Sequence, residues 1–168
     1  MKAKHTLTLG VVGAAMLAVS GCGALKGDPD PRWAEYKSWH KLTEGRVATG
    51  DPTNYIGNVH KGREGYRDVY VNEVGKAALT GSGPYKFPAG TVIVKEQFDD
   101  KAAWEAQKGA EVTVSLKISD EVGSAANWNW AAGYTGTAGK SDFCAGCHTI
   151  ALKDDFVFTT EDFLSAQE

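Results

Sequence analysis

The sequence predicts an α+β domain dominated by an antiparallel β-sheet, with an N-terminal helix and further short helices. Three observations carry that prediction. Residues 66–72, 91–98, 111–119 and 127–134 either alternate apolar and polar side chains or are rich in β-branched and aromatic ones. Glycine, proline, asparagine and aspartate punctuate the chain between these segments, as turns require. No internal repeat or long low-complexity tract competes with a single packed unit.

The first 21 residues read as a leader outside that unit. Lys2 and Lys4 form a positive start, and Leu7 to Val19 is apolar but rich in glycine and alanine. It falls short of the ~20 strongly apolar residues that span a bilayer. Val19-Ser20-Gly21-Cys22 places small residues ahead of a thiol and resembles the bacterial lipobox. Cys22 is therefore expected to carry the lipid, on a protein of the bacterial cell envelope facing the periplasm. An ordinary signal peptide with an incidental cysteine is the alternative. Gly23 follows the cysteine, so no aspartate there points to the inner membrane. Residues 22–30 then form a tether, and residues 31–168 the domain.

The elements of the domain follow in order. Asp30-Pro31 reads as an N-cap with proline at the first helical position. Trp33, Tyr36, Trp39 and His40 follow at helical spacing, with Gly45 as the stop. Residues 46–65 are mostly loop. Tyr66, Asp68 and Tyr70 fall on one face of a strand, and Arg67, Val69 and Val71 on the other. Asn72 caps a short helix over Glu73 to Leu79, and Gly81 to Pro84 is a turn. A strand over Thr91 to Phe98 precedes a helix around Trp104, and a further strand runs from Glu111 to Ser119. The last strand holds Trp128 and Trp130.

Removing the leader leaves 16 basic and 21 acidic side chains, a net charge near −5 with no basic block. Nucleic acid is therefore not an expected partner. The three cysteines are all accounted for: Cys22 for lipid, and Cys144 and Cys147 within Cys144-Ala145-Gly146-Cys147-His148. Two thiols three residues apart can add to the two vinyl groups of one haem, and the adjacent histidine can turn onto the iron as proximal ligand. The motif thus predicts one covalently attached haem c with His148 on the metal. A zinc site would need further ligands, and His40 and His60 lack pair spacing. A thioredoxin-like redox pair would need an N-terminal βαβ unit, whereas this motif lies near the chain end.

Met1 and Met16 both lie in the leader, so no methionine remains to complete the iron's coordination. His40 and His60 are the remaining candidates for a sixth ligand, and an open sixth position is the preferred expectation. It points to small-molecule binding or catalysis.

The strand-rich pattern with a C-terminal haem motif resembles the cytochrome P-460 and cytochrome c′-beta group. The residues behind this are His60 with Arg67-Asp68-Val69-Tyr70-Val71-Asn72, the run Phe87-Pro88-Ala89-Gly90-Thr91-Val92-Ile93-Val94-Lys95-Glu96, and Trp128-Asn129-Trp130 leading into Cys144 to His148. Together they cover most of residues 31–150. The resemblance implies a homodimer with a five-coordinate iron. One branch cross-links a lysine to the porphyrin and oxidises hydroxylamine; the other binds nitric oxide and carbon monoxide in an apolar pocket.

Lys76 is the first candidate for a cross-linking lysine and Lys86 the second, with solvated surface lysines as the alternative. The catalytic members carry a distal glutamate several residues before the motif. Here residues 131–137 read Ala-Ala-Gly-Tyr-Thr-Gly-Thr, and no carboxylate appears before Asp142. Tyr70, Phe87, Trp128 and Trp130 are candidates for an apolar distal pocket, with sheet-core packing as the alternative. Lys95-Glu96 is a candidate support for the haem propionates, or a plain surface pair.

The preferred expectation is therefore an exported, lipid-anchored monohaem cytochrome that binds nitric oxide or a similar small ligand. Hydroxylamine or nitric oxide oxidation is the enzymatic alternative. Electron transfer to a periplasmic partner through a six-coordinate haem is the third reading.

Overall fold

The computed structural model describes residues 27–47, 65–79 and 83–160. Among them five strands form one antiparallel meander: β1 (His40–Val47), β2 (Tyr66–Val71), β3 (Val92–Phe98), β4 (Glu111–Lys117) and β5 (Trp128–Ala132). Each strand pairs with its neighbours in the chain, with Tyr70 opposite Val94, Val94 opposite Val114 and Val114 opposite Ala131. Short helices sit at the strand ends: α1 (Glu73–Lys76), α2 (Lys101–Glu105) and α3 (Asp142–His148). Asn72, Asp100 and Ser141 cap them, each side chain accepting from a backbone N–H three residues on. None of the described helices is long and apolar enough to cross a membrane.

The two-residue period of the strands sorts side chains onto two covered faces. Tyr70, Val92, Val94, Val114, Leu116 and Ala131 pack with Trp33 and Tyr36 on the first. Val69, Val71, Ile93, Trp128 and Trp130 pack with Tyr85, Phe87, Phe156 and Val157 on the second. Burial on both sides explains why β3 opens on an unbroken Val92-Ile93-Val94 run rather than an alternation.

The expected N-terminal helix is corrected. Residues 31–35 are turn, Tyr36–Ser38 is a single 3₁₀ turn, and His40–Val47 is the outer strand of the sheet. The i, i+3 spacing of Trp33 and Tyr36 suits a 3₁₀ turn as well as an α-helix, and both rings are buried. Pairing with the open edge of β2 then wins the following residues for the sheet, because it satisfies backbone groups that would otherwise line an unpaired edge. Gly45, expected to stop the helix, instead lies in an irregular stretch of β1 with φ +58°. A β-carbon there would come within 2.5 Å of the Trp104 indole, so only glycine admits that ring.

Asp68 ties β1, β2 and α2 together. Its fully buried carboxylate accepts from the Gly45 N–H at 2.7 Å, Trp104 Nε1 at 2.9 Å and Lys41 Nζ at 3.3 Å. Burial pushes this carboxyl up, but the three donors outweigh it and hold its pKa below the ordinary aspartate value. Asp68→Ala is expected to cost about 3 kcal/mol in urea denaturation, because three buried donors lose their acceptor. A depressed folded-state pKa stabilises above the unfolded value of about 3.9 and ceases to do so as pH falls through the folded value. The wild-type advantage over Asp68→Ala should therefore shrink in strong acid.

Candidate haem site

The site begins with the local structure of the Cys-x-x-Cys-His segment. Ser141 Oγ accepts from the Cys144 N–H at 3.2 Å and starts α3, so Cys144 and Cys147 fall one turn apart on the same helix. Both thiols are half-buried, and Cys144 and Ala145 pack against the second apolar face of the sheet. His148 closes the helix. A 3₁₀ stretch from Thr149 to Asp154 then leads into Asp155 and Phe156, both with positive φ.

That turn brings the Phe156 carbonyl back to His148, whose Nδ1 lies 2.7 Å from it. A carbonyl only accepts, so Nδ1 carries the proton and Nε2 keeps the lone pair that a metal needs. The ring lies between Trp130 and Phe158, with centroids 5.9 and 4.7 Å away. Burial pushes the His148 pKa down to about 4, and the positive charge of Lys95 acts in the same direction against the hydrogen bond to Phe156. The imidazole is thus neutral and oriented, the form in which histidine ligates.

Two cations share this face. Arg67 on β2 and Lys95 on β3 lie close enough to interact with each other and with Cys147. Lys95 also interacts with Cys144 and Glu111. Burial, then the repulsion of Arg67, pushes the Lys95 pKa down to about 8. Arg67 Nε is buried with no hydrogen-bond partner among the described residues, and so are the indole nitrogens of Trp128 and Trp130.

This donor set fits a haem. It offers two thiols on one helical turn, a neutral histidine with one nitrogen engaged, an apolar sheet face, and two cations suited to propionates. It does not suit a zinc site: among the described residues no three His, Cys, Asp or Glu side chains converge on one point.

The other predicted residues fall in different places. Trp130 lies tilted against His148, and Phe87 and Trp128 meet edge-to-face at 6.0 Å in the same cluster as Phe156. Tyr70 departs from expectation altogether: it lies on the opposite face and donates to Glu96 at 3.3 Å. Alternation puts Tyr70 on the face opposite Val69 and Val71, which pack with Cys144.

Lys95 and Glu96 are not a surface pair. Consecutive strand residues point to opposite faces, and Glu96 is buried, accepting from Tyr36 at 2.7 Å. Lys76 is half-exposed on α1 and pairs with Glu73, and Lys86 is exposed. His40 is exposed at the start of β1, opposite Val71. Cys22 and His60 lie outside the described residues. Sequence reasoning passed over Arg67 and the full significance of Lys95. The available signal was a lysine within the apolar run of β3 and an arginine alternating with Val69 and Val71.

A model of the family described as Cytochrome P460 matches residues 33–159. No curated protein matches the chain.

Proposed function

The chain belongs to the cytochrome P460 family, and from that premise we propose that it is an exported monohaem c-type cytochrome whose open iron position takes nitric oxide or a similar small ligand. The family implies a haem cofactor. The observation that carries the finer reading is α3, which presents Cys144, Cys147 and a neutral, hydrogen-bonded His148 together against the apolar sheet face.

In this reading Cys144 and Cys147 would hold the group by thioether bonds, and His148 would offer Nε2 to its iron. Arg67 and Lys95 hold the negative charge of the propionates in a partly dehydrated setting. A haem held by these residues would supply an iron able to bind a small ligand such as nitric oxide or carbon monoxide without help from hydrogen-bond donors. Cys22 tethers the domain to a membrane of the envelope, facing the periplasm, and two copies pair as a homodimer.

Gas binding is favoured over hydroxylamine oxidation by the placement of the buried carboxylates, all of which are engaged elsewhere. Removing electrons from hydroxylamine also removes N–H and O–H protons, which need an acceptor. Asp68 and Glu96 serve the opposite face, and Asp155 is bonded to Lys117. Lys95 supports the enzymatic reading as the second one. It interacts electrostatically with both thiols and with Glu111, an exposed carboxylate at the start of β4. In that reading Lys95 would be the cross-linking lysine and Glu111 the proton acceptor, with a periplasmic electron acceptor as the partner. Lys95 replaces Lys76 as the candidate for that role.

The absorption spectrum of purified protein, oxidised, reduced and with nitric oxide, separates these readings. The expected result is an ordinary high-spin spectrum that changes with nitric oxide. A strongly red-shifted reduced Soret band would instead mark a modified porphyrin and favour oxidation of hydroxylamine. Sharp low-spin bands indifferent to the gas would leave electron transfer.

A further inference from the structure

The turn that follows α3 holds two consecutive residues, Asp155 (φ +51°) and Phe156 (φ +68°), in the left-handed region. Side chains enter that region at a steric cost, and bulky ones rarely do. Neither residue is glycine, so contacts outside the turn must hold it there.

Those contacts are buried and directional. The Asp155 carboxylate accepts from Lys117 Nζ at 2.8 and 2.6 Å and from the Phe87 N–H at 3.1 Å. Lys117 Nζ also donates to the Glu121 carbonyl at 2.8 Å and lies 5.1 Å from the centre of the Trp128 ring. Asp155 and Lys117 are 2% and 1% exposed. Lys117 is the last residue of β4, so its ammonium is anchored to the sheet. The pair thereby pins the turn to the end of β4. One residue later, the Phe156 carbonyl meets His148 Nδ1 at 2.7 Å.

We propose that the Lys117–Asp155 pair is a positioning device for His148. By holding the left-handed turn it aims the Phe156 carbonyl at Nδ1. This sets the orientation of the ring and the electron density at the coordinating Nε2, as outer partners of ligating histidines do. The inference rests on His148 being the iron ligand. An apolar pair of the same volume would fill the space under Trp128 but would lack the directed bonds that fix the rotation of the turn. That difference gives a reason for two charges to be buried where apolar packing alone would serve stability.

The test is resonance Raman spectroscopy of the reduced holoprotein, with the iron–histidine stretch identified by its shift on ¹⁵N-histidine labelling. Asp155→Asn keeps an acceptor for Phe87 and removes the charge. The double variant Lys117→Met/Asp155→Leu replaces the pair by apolar side chains, and keeps the test available if the single variant does not fold. The expected result in a folded variant is a stretch at lower frequency and a more positive reduction potential, with the haem still attached. A folded variant with the wild-type stretch and potential would overturn the proposal and leave the pair a purely structural support. A wild-type protein whose reduced haem is five-coordinate and high-spin yet shows no nitrogen-sensitive stretch would overturn the assignment of His148 itself. The failure of the premise and the failure of the inference are therefore distinguishable.

Discussion

Replacing both Cys144 and Cys147 by alanine is expected to free the haem completely when the protein is denatured, whereas the wild type keeps its haem on the polypeptide. In the proposed reading thioether bonds would survive unfolding, whereas a bond from His148 would depend on the turn that orients the ring and would be lost with it. Either single variant should retain the haem through the remaining thiol. Both side chains are only half-buried, so truncation to alanine costs little stability and the native fold should persist. Mass spectrometry and haem staining after denaturing electrophoresis check the outcome. Haem that stays on the doubly substituted chain would reveal another covalent attachment. Lys95, which interacts with both thiols, is then the residue to examine.

His148→Ala is expected to abolish the native spectrum while the haem stays attached. The two thiols precede the histidine on α3 and do not depend on its ring. Removing the ring deletes the contacts with Trp130 and Phe158 and leaves the Phe156 carbonyl without its donor. A stability loss of about 2–3 kcal/mol is expected from the lost packing and the unpaired carbonyl. The more telling result is chemical. Imidazole added to the solution should enter the vacated space and restore part of the wild-type spectrum and of its response to nitric oxide. A variant with the wild-type spectrum and ligand binding would show that another residue holds the iron.

These two expectations draw on features of very different legibility. The thiol spacing and the histidine after it are local, and a helix N-cap such as Ser141 lies within three residues of what it serves. The placement of Lys95 is not local. In the sequence, Lys95 and Glu96 read as a neighbouring charged pair, yet the strand sends one toward the thiols and the other to Tyr36 and Tyr70 on the far face. Alternation makes such a separation predictable once the strand is known. It does not say which face receives α3. Tyr70 was misplaced for that reason, since nothing near it in the chain identifies its face as the one away from the motif.

By itself, the sequence determined the sheet-rich class, the positions of β2 to β5 to within a few residues, and the spacing of Cys144, Cys147 and His148 on which the haem proposal rests. Each of these is written in short-range patterns: side-chain period, turn residues, and the spacing of three reactive groups. Tertiary structure alone decided the rest. It converted the expected N-terminal helix into a turn and an edge strand, because the open edge of β2 offers backbone partners that an isolated helix does not. It also brought Lys117 to Asp155 and the Phe156 carbonyl to His148. The Lys117–Asp155 contact joins residues 38 apart in the chain, and its geometry depends on how α3 and the sheet pack rather than on any local pattern.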